Sequence, residues 1–253
     1  MFEMKTLVFS KKDGIGWIRF HRPEVRNAVN LQMIEELEQV ITKCEQDDTL
    51  HVLIFSGDER AFVSGGDVRE FHQLEKKEEI YPIMFRMGQL LERMDQLNCL
   101  TIATVEGTAV GGGCEILTSC DLCVASEKAK FGFIQVHLKI TTGWGGAGRL
   151  TRKIGSGRAL YLLLTGEIIS ATKAYELQLV DHLYKQENFR DEVTALAEHL
   201  ASIPSKVIQT YKQIARLNGA TPTFPLEAES CSILWEGKEH RQKVEEFLRR
   251  TDR

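Results

Sequence analysis

Gly107-Thr-Ala-Val-Gly-Gly-Gly-Cys-Glu115 is the stretch on which the reading of this chain turns. A run with the composition of a buried strand, Thr101 to Val105, precedes it, and Glu115 to Ser119 looks helical. Adjacent glycines let backbone N–H groups turn inward and approach a ligand closely. A helix start adds donors with no intrahelical partner and the positive end of the dipole. A second turn of the same kind, Phe62-Val-Ser-Gly-Gly-Asp67, follows the short apolar strand His51 to Ser56 and lies at the end of a loop, Gly57 to Gly66, rich in small residues. Facing each other, the two turns would supply paired donors to a developing oxyanion. Each could equally be a tight turn that only connects elements. No Gly-Lys-Ser/Thr follows either run, which excludes a Walker A loop, and the spacing G-x-G-x-x-G is missing at a first strand–helix turn.

Working outward, Lys5 to Ser10 and Gly14 to Phe20 read as two strands joined at Lys12-Asp13-Gly14. Leu31, Ile34, Leu37, Ile41 and Cys44 recur at helical spacing over Leu31 to Gln46, with Glu35, Glu36 and Glu38 expected on the surface and Asn30 as N-cap. Lys76 to Glu79 is charged and reads as a surface linker; Ile83 to Leu97 is again helical, and Leu122 to Ala125 a strand. The first half thus alternates strand and helix, the pattern of an α/β sheet with crossover connections. Beyond about Gly145 nearly everything reads helical: Gly146 to Lys153, Ser156 to Leu164, Ala171 to Leu177, Asp191 to Ile203, Ser205 to Leu217, Leu226 to Leu234 and Gly237 to Arg250. A boundary falls near residue 200, close to Pro204, dividing a core of residues 1–200 from an amphipathic tail, 201–253, suited to packing on its own core or on a neighbouring subunit.

The bulk numbers narrow the class. A chain of 253 residues suffices for one large domain or a core with a small appendage, and 43% hydrophobic with 27% charged residues is ordinary globular composition. A net charge of -4 argues against a nucleic-acid partner. No apolar run approaches the roughly 20 residues of a membrane span, and Met1 to Phe9 lacks the pattern of a signal peptide. The six cysteines sit in apolar stretches, so reduced thiols in a cytoplasm are expected; Cys120 and Cys123, although spaced C-x-x-C, read as buried structural residues. The seven histidines show no H-x-x-x-H or H-x-x-E-H grouping, so no metal site is expected.

The motifs resemble those of the crotonase (enoyl-CoA hydratase/isomerase) superfamily. Phe62 to Asp67 is similar to its first loop (F-x-x-G-x-D), and Gly107 to Glu115 followed by Cys120-Asp121 to its second, with Glu106 where Asn is frequent. His21-Arg-Pro-Glu-Val-Arg-Asn-Ala28 resembles R-P-x-x-x-N-A, and Ala129 to Gly132 matches A-x-F-G. Gly145-Gly146, Arg149-Leu150, Leu164-Thr-Gly166 and Ala174 continue the pattern, so the resemblance covers nearly the whole chain. It implies a spiral of ββα units with a helical C-terminal trimerisation region, in trimers or hexamers. It implies that the N–H groups of Gly66 and Gly112 hold a thioester oxygen, and that Arg26, Ala28, Ser64, Gly65 and Asp67 contact coenzyme A, which enters as part of the acyl-CoA substrate and not as a separate cofactor.

Chemistry at a thioester α-carbon passes through an enolate or enolate-like transition state, so donors at the thioester oxygen stabilise it selectively. The resemblance places one hydratase glutamate at Glu115. The second should lie four residues after Phe131, and there this chain has Gln135. An amide orients water but does not act as general acid or base near neutral pH. His137, two residues on, would share the Gln135 face if the segment were a strand; a lone His between apolar residues is more often structural. Three readings follow: hydration of a 2-enoyl-CoA, decarboxylation of a malonyl-type thioester, which needs no base, and acyl-CoA binding with little turnover. Gly143-Trp-Gly-Gly146 resembles a S-W-G-G stretch of some decarboxylating relatives, although those of methylmalonyl type carry His where Gly66 stands. Isomerisation is less compatible, since no carboxylate is visible near Gln135. Phe71, Tyr81, Phe85, Phe133 and Trp144 are candidates for the acyl-pocket lining.

Overall fold

In the computed structural model the described residues are 4–74 and 76–217, together with 231 and 242. The chain divides into two compact units, the first Met1–Ser202 and the second beginning at Ile203, whose described part is chiefly one amphipathic helix, Ser205–Arg216. The proposed helices at Leu226 to Leu234 and Gly237 to Arg250 lie almost wholly outside the described residues.

The first unit is built from an open sheet and a smaller one. Strands β1 (Leu7–Lys12) and β2 (Ile15–Phe20) form an antiparallel hairpin, and β3 (Val52–Ser56), β5 (Leu100–Val105), β7 (Leu122–Ser126) and β10 (His182–Tyr184) extend it in parallel, in the order β1-β2-β3-β5-β7-β10. The inner strands are covered on both faces, which is why Val52-Leu-Ile-Phe55 is apolar without alternation. Each of β3, β5 and β7 leads into a short strand of the second sheet: β4 (Ala61–Val63), β6 (Thr108–Val110) and β8 (Lys130–Gly132) run parallel, and β9 (Ile169–Ser170) closes that sheet antiparallel to β8. Three consecutive long-strand, short-strand steps make the expected spiral. Two of its short strands, β4 and β6, lie inside what the sequence suggested were glycine-rich loops and are held by neighbours more than by their own composition.

Helices cover the sheets. In α1 (Leu31–Glu45) the Asn30 side chain accepts from Met33 N at 3.0 Å, so the expected cap is present. Met33, Ile34, Leu37, Val40, Ile41 and Cys44 face the core. Glu36 does not lie on the surface: it is buried, and its carboxylate accepts from the N–H groups of Lys5, Thr6 and Leu7, the Thr6 hydroxyl and the Gln32 amide. An acidic residue at a core position therefore ties α1 to the entry of β1. The segment Lys76 to Glu79 is the start of a helix and not a linker. After the short α2 (Val68–Phe71), α3 runs Lys77–Gln96, with Glu79 accepting from Lys76 N and Pro82 tolerated near its start. There follow α4 (Gly112–Leu117), α5 (Gly146–Ile154), α6 (Ser156–Thr165), α7 (Ala171–Glu176) and α8 (Phe189–Ala201), the last held to β3 by His51 Nδ1 against the Ala201 carbonyl at 2.7 Å. Glu106 accepts from Gln186 at 2.9 Å and from Arg190, joining the β5–β6 turn to the start of α8.

Cys44, Cys99, Cys114, Cys120 and Cys123 are buried, and burial pushes the Cys44 and Cys123 thiols up to about 12. Both cysteines of the C-x-x-C, Cys120 and Cys123, are buried, as a structural role requires. Among the described residues no helix is long and apolar enough to cross a membrane, and no cluster of His, Cys, Asp and Glu forms that could hold a metal.

Candidate active site

The parallel register of β4, β6 and β8 brings their C-terminal ends side by side, the place where open parallel sheets bind ligands. Ser64-Gly65-Gly66 leaves β4, Gly111-Gly112 leaves β6, and Phe133 to Gln135 leaves β8. The first two turns touch: a Cβ placed on Gly65 would lie 3.4 Å from Gly112 N. Gly65 and Gly111 have φ of 109° and 55°, which side-chain-bearing residues rarely adopt. Neither Gly66 N nor Gly112 N has an acceptor among the described residues, and Gly112 opens α4, where N–H groups have no intrahelical partner.

Glu115 lies in the first turn of α4 and is buried at 2% exposure. Its Oε2 accepts from Trp144 N at 2.8 Å and Gly146 N at 2.9 Å; its Oε1 accepts from Gln135 Nε2 at 3.0 Å and Gly143 N at 3.3 Å. A carboxylate has about four lone-pair sites, and all are engaged. Burial raises the Glu115 carboxyl above its ordinary range, although the N–H groups of Gly146, Trp144, Gln135 and Gly143 pull in the opposite direction. Gly146 is required for this approach, because a Cβ there would stand 2.4 Å from Glu115 Cγ. The guanidinium of Arg149, itself buried, donates to the Trp144 carbonyl and fixes the loop from the other side.

Gln135 spends its amide N–H on Glu115, while its Oε1 is buried and has no hydrogen-bond partner. His137 does not share this face. Residues Ile134–Leu138 form a 3-10 turn and not a strand, and His137 Nε2 sits 3.0 Å from the Gly166 carbonyl, away from Glu115. Sequence spacing alone could not settle that, since the β8 pairing ends at Gly132.

A cleft of about 300 Å³ beside the Gly66 turn is lined by Arg26, Ala28, Ser64, Asp67 and Arg69, among others, and a neighbouring one of about 430 Å³ by Arg26, Arg60 and Ser64. Asp67 is chiefly a scaffold there. It caps α2 by accepting from Arg69 N and pairs with Arg22 at 2.9 Å, and Arg22 also donates to the Ala28 carbonyl. Arg60 and Arg69 are contributors that the sequence did not single out; with Arg26 they place three arginines about the two clefts, which suits a polyanionic ligand.

Residues 10–228 match the family model described as enoyl-CoA hydratase/isomerase. The chain belongs to the enoyl-CoA hydratase/isomerase family. It is 29% identical over 250 residues, 96% of this chain and 95% of the relative, to a crotonyl-CoA hydratase of Syntrophomonas wolfei. It is 32% identical over 213 residues, 83% of this chain and 81% of the relative, to a short-chain-enoyl-CoA hydratase of Clostridium acetobutylicum. The crystal structure of an enoyl-CoA hydratase from Bacillus anthracis superposes with a TM-score of 0.90 at 26% identity, covering 97% of each chain. Within this family framework, the glycine pairs, Glu115 and Gln135 converge at one place, and Pro23 to Arg26 with Ala28 line the adjoining clefts.

Proposed function

We propose that this chain is a hydratase-type lyase that adds water across the double bond of a 2-enoyl-CoA. The observation that carries the reading is the buried Glu115 carboxylate, with the Gln135 amide bound to it, beside two glycine turns whose N–H groups have no acceptor.

In this account the thioester oxygen accepts from Gly66 N–H and Gly112 N–H, and the arginine-lined clefts hold the phosphates of coenzyme A. Water takes the place next to Gln135 Oε1, giving that orphan acceptor a donor, and displaces the long 3.3 Å contact from Gly143 on Glu115 Oε1. Glu115 accepts a proton from the water as its oxygen bonds to the β-carbon. The π pair moves toward the α-carbon and thioester, and the negative charge on the thioester oxygen is met by the two N–H donors. The proton on Glu115 then passes to the α-carbon and the thioester carbonyl re-forms. A carboxyl held above its ordinary range by burial suits this return, since it binds the proton long enough to deliver it. One carboxylate serves both steps, because Gln135 has no proton to exchange at neutral pH.

Decarboxylation of a malonyl-type thioester is the second reading, favoured by the fully engaged Glu115 carboxylate, since that reaction uses the same enolate site but asks no base to take a proton. Trimers or hexamers formed through the C-terminal helices, a cytoplasmic site and a role in acyl-CoA breakdown are part of the proposal on the strength of the family resemblance. Glu115→Gln is the test: it should lower crotonyl-CoA hydration by about 10²–10⁴-fold while butyryl-CoA still binds. Unchanged hydration would remove Glu115 from the chemistry.

A further inference from the structure

Trp144 does two things at once. Its backbone N–H holds Glu115 Oε2 at 2.8 Å. Its indole lies across both glycine turns: a Cβ on Gly112 would meet Trp144 Cζ3 at 2.1 Å, and a Cβ on Gly66 would meet Cζ2 at 3.7 Å. The residue is only 4% exposed, so the ring fills the space beside Gly112, while at Gly66 the Phe71 ring stands closer, 3.0 Å from a Cβ there. Trp144 also lines an open groove of about 330 Å³, whose other walls are Met84, Phe85 and Gly88 of α3 with Gly143, and whose rim carries Gln89, Glu92 and Arg149. That volume falls in the range of small-ligand sites, about 300–1,000 Å³. α3 approaches closely, since a Cβ on Gly143 would meet Met84 Sδ at 2.6 Å and one on Gly88 would stand 4.0 Å from the Trp144 backbone. Trp144 therefore stands between the glycine turns and a groove whose apolar part, Met84, Phe85 and Gly88, could take the end of an acyl chain.

We propose that Trp144 sets the acyl-length limit of this enzyme, restricting it to short-chain enoyl thioesters by separating the reacting carbons from the groove along α3. The inference rests on the enoyl-CoA reading and names its substrate class. With the thioester oxygen at Gly66 and Gly112 and the β-carbon near Glu115, further methylenes must pass the indole. A ring packed against backbone on one side and α3 on the other yields only with strain. A single misfitting methylene is worth about 10–200-fold in specificity; several together should close the site to medium chains.

The test compares crotonyl-CoA with 2-decenoyl-CoA in hydration, and butyryl-CoA with decanoyl-CoA in binding by calorimetry. The saturated pair cannot be hydrated, so the length limit is read even if the hydration reading fails. The wild type should prefer the short member by at least about 100-fold in each assay. Trp144→Ala should raise decanoyl-CoA binding and decenoyl-CoA turnover by at least about tenfold relative to the short thioesters. Trp144→Leu serves should the alanine variant not fold. Adding Gly88→Leu to either variant, which fills the groove from α3, should cancel the gain. Equal wild-type binding of butyryl- and decanoyl-CoA, or a folded Trp144 variant with an unchanged length profile, would overturn the proposal. Loss of crotonyl-CoA hydration with the binding preference intact would instead count against the hydratase reading and leave this inference standing.

Discussion

Gln135 donates its Nε2–H to Glu115 Oε1 at 3.0 Å, and its own Oε1 lies buried with no hydrogen-bond partner. An amide in this position orients a water but lends no proton. The first prediction concerns Gln135→Glu. It would set two carboxyl groups about 3 Å apart in a buried site, where both cannot ionise and one holds a proton. That restores an acid for the α-carbon, and hydration of crotonyl-CoA should rise by about tenfold or more, inside the range typical of general acid–base help. Steady-state kinetics of the purified variant read this directly.

The pH profile separates the two proteins. Burial raises the Glu115 carboxyl above its usual value of 4.5, and the ionised form is the one that accepts the proton of water. Wild-type kcat/KM should therefore climb as pH rises through that elevated value and then level, with a single acid limb. Gln135→Glu should add a falling limb on the alkaline side as the second carboxyl loses its proton. A wild-type profile that is already bell-shaped would assign a second titrating group to the reaction.

Packing at the glycines gives a prediction in stability. Gly112→Ala drives a Cβ to 2.1 Å from the Trp144 ring, an overpacking that should cost about 1–3 kcal/mol in thermal unfolding and perturb the near-ultraviolet signal of that tryptophan. Gly148, within α5, is the contrast, because nothing lies within 4 Å of a Cβ there. Gly148→Ala should stabilise by about 0.5–1 kcal/mol.

Glu36 yields a prediction away from the chemistry. Burial alone would raise its carboxyl, but N–H groups of Lys5 and Thr6, the Thr6 hydroxyl and Gln32 outweigh burial and hold it below 4.5. A depressed folded-state value means that its stabilisation is present above the unfolded value and is lost as pH falls through the folded one. Glu36→Ala should lower stability at pH 7 by about 1.5–3 kcal/mol and flatten the acid-side decline below pH 4.5, as denaturant melts across pH would register.

The sequence foretold most of the long elements because their signals are local. The periodicity of Leu31 to Cys44, the Asn30 cap and the apolar run Val52 to Phe55 need no tertiary information. The strands β4, β6, β8 and β9 went unseen because runs of two or three residues carry no periodicity and are made strands by their neighbours. Glu36 was misplaced for a related reason: its partners include main-chain donors at the entry of β1, about thirty positions away, and nothing in the helix pattern announces them. At the site, the glycine turns, Glu115 and Gln135 were legible through motif and resemblance. The covering of Gly112 by the Trp144 ring, the saturation of the Glu115 carboxylate and the turn that takes His137 away from it depend on contacts between distant segments.

The central claim is that Glu115, assisted only by an amide, hydrates an enoyl thioester held at Gly66 and Gly112. The most direct measurement is the loss of enoyl-thioester absorbance when the purified wild-type protein meets crotonyl-CoA, with Gln135→Glu assayed beside it. Measurable but modest wild-type hydration, raised by the substitution, is the result this account predicts. Two inert proteins that nonetheless bind crotonyl-CoA would contradict it and turn attention to malonyl-type thioesters.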